Sequence, residues 1–310
     1  MPAADHRLTT LEVARFVVDG YLRFDALVPD ALNRRVLPEL AQLATTKLPQ
    51  AIGLPPSEDA VARPPSLTPL SQCYPAPSAL GEVLRLPAVR GIIESLVGAD
   101  PLFDHDFVHM LPPRMPHWQH LHVDAILDTP DPTFDIQLFY FPDAVGAGEG
   151  GTRFVPGTHL RRVRAEDVSR YRHVLGDERF VGPAGTILIF HHGMWHAGEA
   201  NPSDKTRWMY KIRLNPRVPQ VRLWNTDDFT AHHNDAADHR FATMRFDSVA
   251  QVLRKEQKWQ LGHEVRYDLV QRVRLWRYLS GDDRFDADYY LTRLEQRATL
   301  AESSTPRAQS

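Results

Sequence analysis

The sequence predicts a mainly β protein with flanking helices (α+β) and a two-sheet jelly roll as its core. Three observations lead there. Short apolar runs recur at about 102–111, 118–126, 134–142, 152–155, 180–182, 185–191 and 206–215, and Gly and Pro punctuate them. No helical segments of about 10–15 residues alternate with these runs, which argues against a parallel doubly wound sheet. Helical periodicity is confined to two flanks, 8–100 and 220–300, on either side of a 101–217 core. The whole of 1–310 is read as a single domain.

In the N-terminal flank, Thr9-x-x-Glu12 has the form of a capping box, and Leu11, Val13, Phe16 and Val17 give a partial helical stripe. Gly20 ends that helix, and Tyr21–Phe24 is a short strand. A second helix is expected over 30–46, with Leu32, Val36, Leu40 and Leu43 on one face and a kink at Pro38. Residues 48–78 hold prolines at 49, 55, 56, 64, 65, 69, 75 and 77, a density that no regular element survives. Such a loop is either a lid or substrate wall, or simply exposed. A third helix covers 79–97, interrupted at Pro87 and stopped at Gly98.

Beyond 217 the pattern turns helical again. Asp247 is placed as the cap of a helix running to about 258. Val265, Leu269, Val273 and Trp276 form a stripe ended by Gly281, and a last helix covers 286–299. These helices pack on the jelly roll, where they bound the pocket or form a homodimer contact.

Composition narrows the class. A 310-residue chain with 43% hydrophobic residues supports a proper core. No apolar run approaches the length of a membrane span, so no membrane partner is expected. Residues 1–6 lack the charged and apolar regions of a signal peptide, and one cysteine, Cys73, rules out an internal disulfide framework. A cytoplasmic protein is expected. A net charge of −3 argues against a general nucleic-acid binder. Fifteen His supply candidate ligands, and decoys among them.

The chemistry centres on Trp118-Gln119-His120-Leu121-His122-Val123-Asp124. In an extended strand, residues two apart share a face, so His122 and Asp124 present an imidazole and a carboxylate side by side. These are two corners of the 2-His-1-carboxylate site used by non-haem Fe(II) oxygenases. The third ligand is His196, which follows the strand-like run 186–190 and the turn residue Gly193. Arg207 stands eleven residues beyond His196, on a strand whose odd positions 207, 209, 211 and 213 share a face. Pairing of 186–190 with 206–214 through the turn would bring Arg207 toward the metal, where its guanidinium can grip a carboxylate in a bidentate fork. The residues alone leave rivals: His120-x-His122 is also a metal-binding spacing, and His191 and His192 just precede the distal turn. His232, His233 and His239 lie in a polar stretch and are read as solvated.

The H-x-D, the distal His and the Arg eleven residues on resemble the phytanoyl-CoA dioxygenase family of Fe(II)/2-oxoglutarate oxygenases. Gly150-Gly151-Thr152-Arg153-Phe154-Val155-Pro156-Gly157-Thr158-His159 resembles that family's strand and turn between the two halves of the metal site. The stretch from Leu8 to Leu22 resembles its helix-to-strand opening. The resemblance covers about 8–217 and does not extend past 220. It implies a double-stranded β-helix core of the cupin-like kind, with Fe(II), 2-oxoglutarate and O2 as cofactor and co-substrates. It makes His122, Asp124 and His196 the metal ligands and Arg207 the clamp on 2-oxoglutarate. It also points Thr152, Gln137 and His120 toward the co-substrate. The implied activity is oxidation, chiefly hydroxylation, of an unactivated C–H bond in a natural-product-like small molecule, with release of succinate and CO2. Halogenation is not implied, because Asp124 fills the position where related halogenases place halide.

Two further readings stand beside this one. The arginines of 159–173 form either a solvated loop or a patch for an acid or a CoA thioester. The chain as a whole could instead be a non-catalytic or zinc-binding cupin-like protein holding a small ligand. Arg207 at its spacing argues against that alternative, since neither form needs such a clamp.

Overall fold

The computed structural model of the protein describes residues 7–51, 63–124, 131–161, 165–229, 248–283, 285 and 287. Two antiparallel sheets form its centre. The larger is five-stranded in the order β1-β6-β3-β8-β2, and the smaller is three-stranded in the order β5-β4-β7. The strands are β1 (Tyr21–Phe24), β2 (Leu102–Leu111), β3 (Ile136–Phe141), β4 (Arg153–Phe154), β5 (Glu178–Arg179), β6 (Thr186–His191), β7 (His196–Ala197) and β8 (Arg207–Asn215). The helices are α1 (Thr10–Asp19), α2 (Asp30–Ala51), α3 (Ala79–Arg85), α4 (Pro87–Val97), α5 (Ala165–Val168), α6 (Val249–Leu253) and α7 (His263–Ser280). The predicted jelly roll with flanking helices is the observed architecture.

The period of two explains how the layers are built. Even positions of β3 and β8 (Leu138, Tyr140, Ile212 and Leu214) join the core formed with the helices. Odd positions (Phe139, Phe141 and Met209) face the smaller sheet and pack with Phe154, Phe180 and Phe190. Each fully buried side chain of this kind contributes about 1.5–3 kcal/mol. β3 and β6 are buried at every position, which is why they read as continuous apolar runs rather than alternating ones.

Local signals set the helix ends. The capping box forms: the Thr9 amide donates to Glu12 Oε2 at 2.8 Å, and the Glu12 amide donates to Thr9 Oγ1 at 3.3 Å. Gly20 ends α1 with φ of 74°, and a Cβ there would lie 2.3 Å from His159 Nδ1. The 79–97 segment is two helices, broken at Leu86 (φ −52°, ψ 132°), because Pro87 pushes the residue before it out of the helical region. Leu269, Val273 and Trp276 are buried on α7, which stops at Gly281 as expected.

Several expectations are corrected. α2 runs through Pro38 and on to Ala51, so it enters the proline-rich stretch, and a 3₁₀ turn at Leu70–Gln72 also interrupts that stretch. Residues 118–126 do not form a strand among those described. Gln119 pairs with Gly198 and His122 with His196, three residues against two, so an extra residue breaks the ladder. The expected 180–182 strand is displaced to Glu178–Arg179, and only the Val145–Gly182 bridge remains there. Strands β6 and β8 do not pair, because β3 lies between them. Ser248 caps α6 by accepting from the Gln251 amide at 3.2 Å, and that helix ends at Leu253. Asp247, the three His at 232, 233 and 239, and the expected 286–299 helix lie outside the described residues, apart from an isolated helical residue at 287. Among the described residues no helix is long and apolar enough to cross a membrane.

Candidate active site

His122 and His196 are brought together by backbone. Each amide donates to the other residue's carbonyl at 3.0 Å, and the ring centroids stand 4.6 Å apart. In both residues Nδ1 meets the carbonyl two positions back: His120 O at 2.9 Å for His122, and Met194 O at 3.0 Å for His196. With Nδ1–H donated to a carbonyl, the lone pair sits on Nε2, the tautomer that ligates a metal. Asp124 completes the group. Its Oδ1 lies 3.6 Å from His122 Nε2 and its Oδ2 lies 3.4 Å from His196 Nε2. One ligand atom from each of the three falls within 4.8 Å of the others.

The donor types suit a metal ion. Burial pushes the His122 imidazole below its usual pKa, so it is a neutral donor. Burial alone would raise the Asp124 pKa, but hydrogen bonds and charge from His196 and Lys211 outweigh it. They hold the carboxyl well below the usual carboxylate range. Two imidazoles and one carboxylate on one small face are the donor set suited to Fe(II).

Asp124 is itself held. Gln137 Nε2 and Lys211 Nζ both donate to its Oδ2 at 2.7 Å. Lys211 is buried, with its ammonium over the rings of Phe107 (5.2 Å) and Phe139 (5.9 Å).

The triad opens into a cavity of about 640 Å³ that Thr152, Arg207 and Lys211 also line. The Arg207 guanidinium donates to the carbonyls of Glu149 (2.7 Å) and Glu199 (2.8 Å). Burial lowers its pKa to about 10, so it stays cationic near neutral pH. Gly150 makes the first of these contacts feasible. It has φ of 66°, and a Cβ there would lie 1.7 Å from the carbonyl oxygen of Ala200.

At the cavity mouth Phe107 and Met110 come from β2, and Met115 and Trp118 from the segment that follows it. Arg172 lies over the Trp118 ring at 4.5 Å and pairs with Glu199 at 3.3 Å. The other side of Glu199 is paired with Arg153, a fully buried arginine that also reaches Asp177 at 3.4 Å. The described arginines of 159–173 therefore do not form an open anion patch. Arg161 faces Glu264, Arg170 faces Asp167 and Arg172 faces Glu199.

The cavity thus gathers His122, Asp124, His196, Arg207 and Thr152. Gln137 is elsewhere: it is buried behind Asp124, with its amide spent on that carboxylate rather than facing the cavity. His120 is exposed and does not line the cavity. Its ring packs on Trp118 at 4.7 Å, and its carbonyl orients His122. The sequence pattern put it on the face of His122, but the extra residue in the ladder turns it out. His191 and His192 lie outside the triad: His191 stacks on Phe134 at 4.9 Å, and His192 bonds the backbone of Asp135. The sequence places Lys211 only on the odd face shared with Arg207 and does not single out Glu199 or Trp118. The shared odd face of β8 was the available signal for Lys211.

A facial pair of His with one carboxylate between two antiparallel sheets places the protein with the non-haem oxygenases. Residues 16–209, more than half of the chain, match the sequence profile described as phytanoyl-CoA dioxygenase (PhyH). The chain belongs to that family and is therefore an oxidoreductase of the Fe(II)- and 2-oxoglutarate-dependent class. No curated protein sequence matches it. Among solved structures it is similar to AviO1 from Streptomyces viridochromogenes Tue57, at 17% identity and TM-score 0.48, over 67% of this chain and 94% of that one. It is also similar to SnoK, a non-haem α-ketoglutarate-dependent carbocyclase of nogalamycin biosynthesis, at 18% identity and TM-score 0.49, over 86% and 98%. A third similarity is to EctD from S. alaskensis, solved with 2-oxoglutarate and 5-hydroxyectoine, at 14% identity and TM-score 0.47, over 70% and 79%.

Proposed function

We propose that the protein hydroxylates an unactivated C–H bond of an apolar small molecule, using His122, Asp124 and His196 to hold Fe(II) and Arg207 to hold 2-oxoglutarate. The observation that carries this reading is the meeting of all four side chains in one cavity. Fe(II) held there would activate O2 with 2-oxoglutarate as co-substrate, one oxygen atom ending in the hydroxylated product and the other in succinate as CO2 leaves.

The chain's own residues position the reactants. The two carbonyl-anchored imidazoles present Nε2, and Gln137 and Lys211 fix the Asp124 carboxylate. Arg207, held by two carbonyls, offers its remaining N–H groups to the far carboxylate of 2-oxoglutarate, and the Thr152 hydroxyl offers a second contact. Phe107, Met110 and Trp118 give the mouth an apolar lining, which favours an apolar substrate body and keeps water from the reacting carbon.

The test is succinate release from 2-oxoglutarate by the protein with Fe(II) and O2. Succinate that depends on all three, and is lost in His196→Ala, supports the reading. A protein that binds Fe(II) but forms no succinate under any substrate screen contradicts it.

A further inference from the structure

Lys211 brings a positive charge that holding the Asp124 carboxylate does not require, since the neutral Gln137 amide donates to the same oxygen. The Lys211 side chain is buried, and its ammonium sits 2.7 Å from the carboxylate oxygen of a proposed metal ligand. A cation so close to a metal ligand is unfavourable for metal binding alone. The incoming dication must bond to the same carboxylate and lie near an ammonium with little water to screen the two.

Charge bookkeeping around the cavity shows what relieves this. Glu199 pairs with Arg153 and Arg172, and Asp177 pairs with Arg153, so these four charges cancel. Asp124 is balanced by Lys211, which leaves the Arg207 charge in excess. A divalent metal alone raises that excess by two charges. A dicarboxylate brought in with the metal cancels them.

We infer that Lys211 serves as an internal counter-cation: its charge neutralises Asp124, disfavours a divalent metal alone, and so couples metal binding to dicarboxylate binding. The inference rests on the proposed ligand set. It differs in sign from a purely positioning role. If Lys211 only held the carboxylate in place, removing it would weaken metal binding with or without the dicarboxylate. As a counter-cation, removing it strengthens binding of the metal alone.

Co(II), followed by its visible absorption in the full-length protein under anaerobic conditions, reads this without turnover. Titrations with and without 2-oxoglutarate give two Kd values, and their ratio is the coupling. By linkage, the same ratio must appear when 2-oxoglutarate is titrated with and without Co(II). In the wild type, 2-oxoglutarate is expected to tighten Co(II) binding by at least about tenfold, which is a typical coupling of about 1.4 kcal/mol. In Lys211→Met, Co(II) alone is expected to bind at least about tenfold more tightly than in the wild type, and the ratio falls toward one. Lys211→Arg keeps the charge and the ratio. Gln137→Leu removes the other donor to the same oxygen without changing charge, and it too keeps the ratio.

Unchanged or weaker Co(II) binding in a folded Lys211→Met overturns the inference and leaves the ligand set standing. A Lys211→Met protein that does not fold is replaced by Lys211→Gln, for which the same two outcomes apply. Co(II) binding that survives His122→Ala overturns the ligand set and the inference with it.

Discussion

His122 and His196 are joined by a reciprocal pair of backbone hydrogen bonds, each 3.0 Å long, which sets their rings 4.6 Å apart. The site is therefore assembled by main chain and survives truncation of either ring. His122→Ala and His196→Ala are each expected to lose metal and turnover; His122→Ala shifts stability by less than about 1 kcal/mol, and His196→Ala, whose ring is buried, costs more. Asp124→Ala should also lose metal, but at a larger stability cost, because it strands the buried Lys211. That cost falls below the ~3–5 kcal/mol of a fully buried pair, since Asp124 keeps 18% of its side chain exposed. Metal analysis and urea denaturation measure both effects. Retention of metal in His122→Ala, with loss in His120→Ala, would mean the wrong histidine has been assigned.

Asp124→Gly is expected to open an anion site. The substitution removes one negative ligand and frees Gln137 Nε2 and Lys211 Nζ, both of which now donate to Asp124. Azide should bind at the vacated position and shift the spectrum of the Fe(II)–2-oxoglutarate complex. A titration without any azide-dependent change counts against the coordination geometry.

Much of this was legible in the sequence because side-chain alternation reports faces. The odd positions of 207–213 were expected on one face. Arg207, Met209 and Lys211 do line the cavity, while Tyr210 and Ile212 join the helical side. Strand neighbours are a different matter. Periodicity says which way a residue points but not which strand lies beside it, so the insertion of β3 between β6 and β8 left no mark. His120 was misread for a related reason: it assumed a regular ladder, and one extra residue between Gln119 and His122 turns its ring to solvent. The Lys211–Asp124 contact joins residues 87 apart, a separation at which local pattern is silent.

A pH prediction follows from His159. Its ring is wholly buried, with Nε2 3.0 Å from the Val17 carbonyl and Nδ1 without a partner among the described residues. Burial depresses its pKa to about 3. The unfolded chain takes up that proton near the ordinary value of about 6.5, so the folded state is penalised as the pH falls. Stability is complete above about 6.5 and declines toward about 3, by about 1.4 kcal/mol per pH unit for one such proton. His191, fully buried and pushed in the same direction, adds to the slope. His159→Gln keeps a donor for Val17 but cannot titrate. Urea denaturation between about pH 6 and 4 should show its slope shallower by one proton. An unchanged slope would mean that His159 is charged in the folded state or reaches solvent.

Arg207 is expected to hold the far carboxylate of 2-oxoglutarate. It stands on the cavity face of β8, and two of its N–H groups are fixed by the carbonyls of Glu149 and Glu199. A guanidinium held in this way is preorganised, so little side-chain freedom is lost when an acid binds its open edge. Loss of one partner from a buried, hydrogen-bonded charge pair costs about 3–5 kcal/mol. At about 1.4 kcal/mol per decade, Arg207→Ala should raise the KM for 2-oxoglutarate by about two to four orders of magnitude. Arg207→Lys should recover only part of that, because an ammonium keeps the charge and loses the planar fork. Metal content measured without 2-oxoglutarate should not fall in either variant. Arg207 lies four positions along β8 from Lys211, about 13 Å at 3.3 Å per residue, too far to disturb the Asp124 carboxylate. Near-normal KM for 2-oxoglutarate in Arg207→Ala would show that the clamp is elsewhere, and Lys211, the other buried cation lining this cavity, would be the next residue to replace.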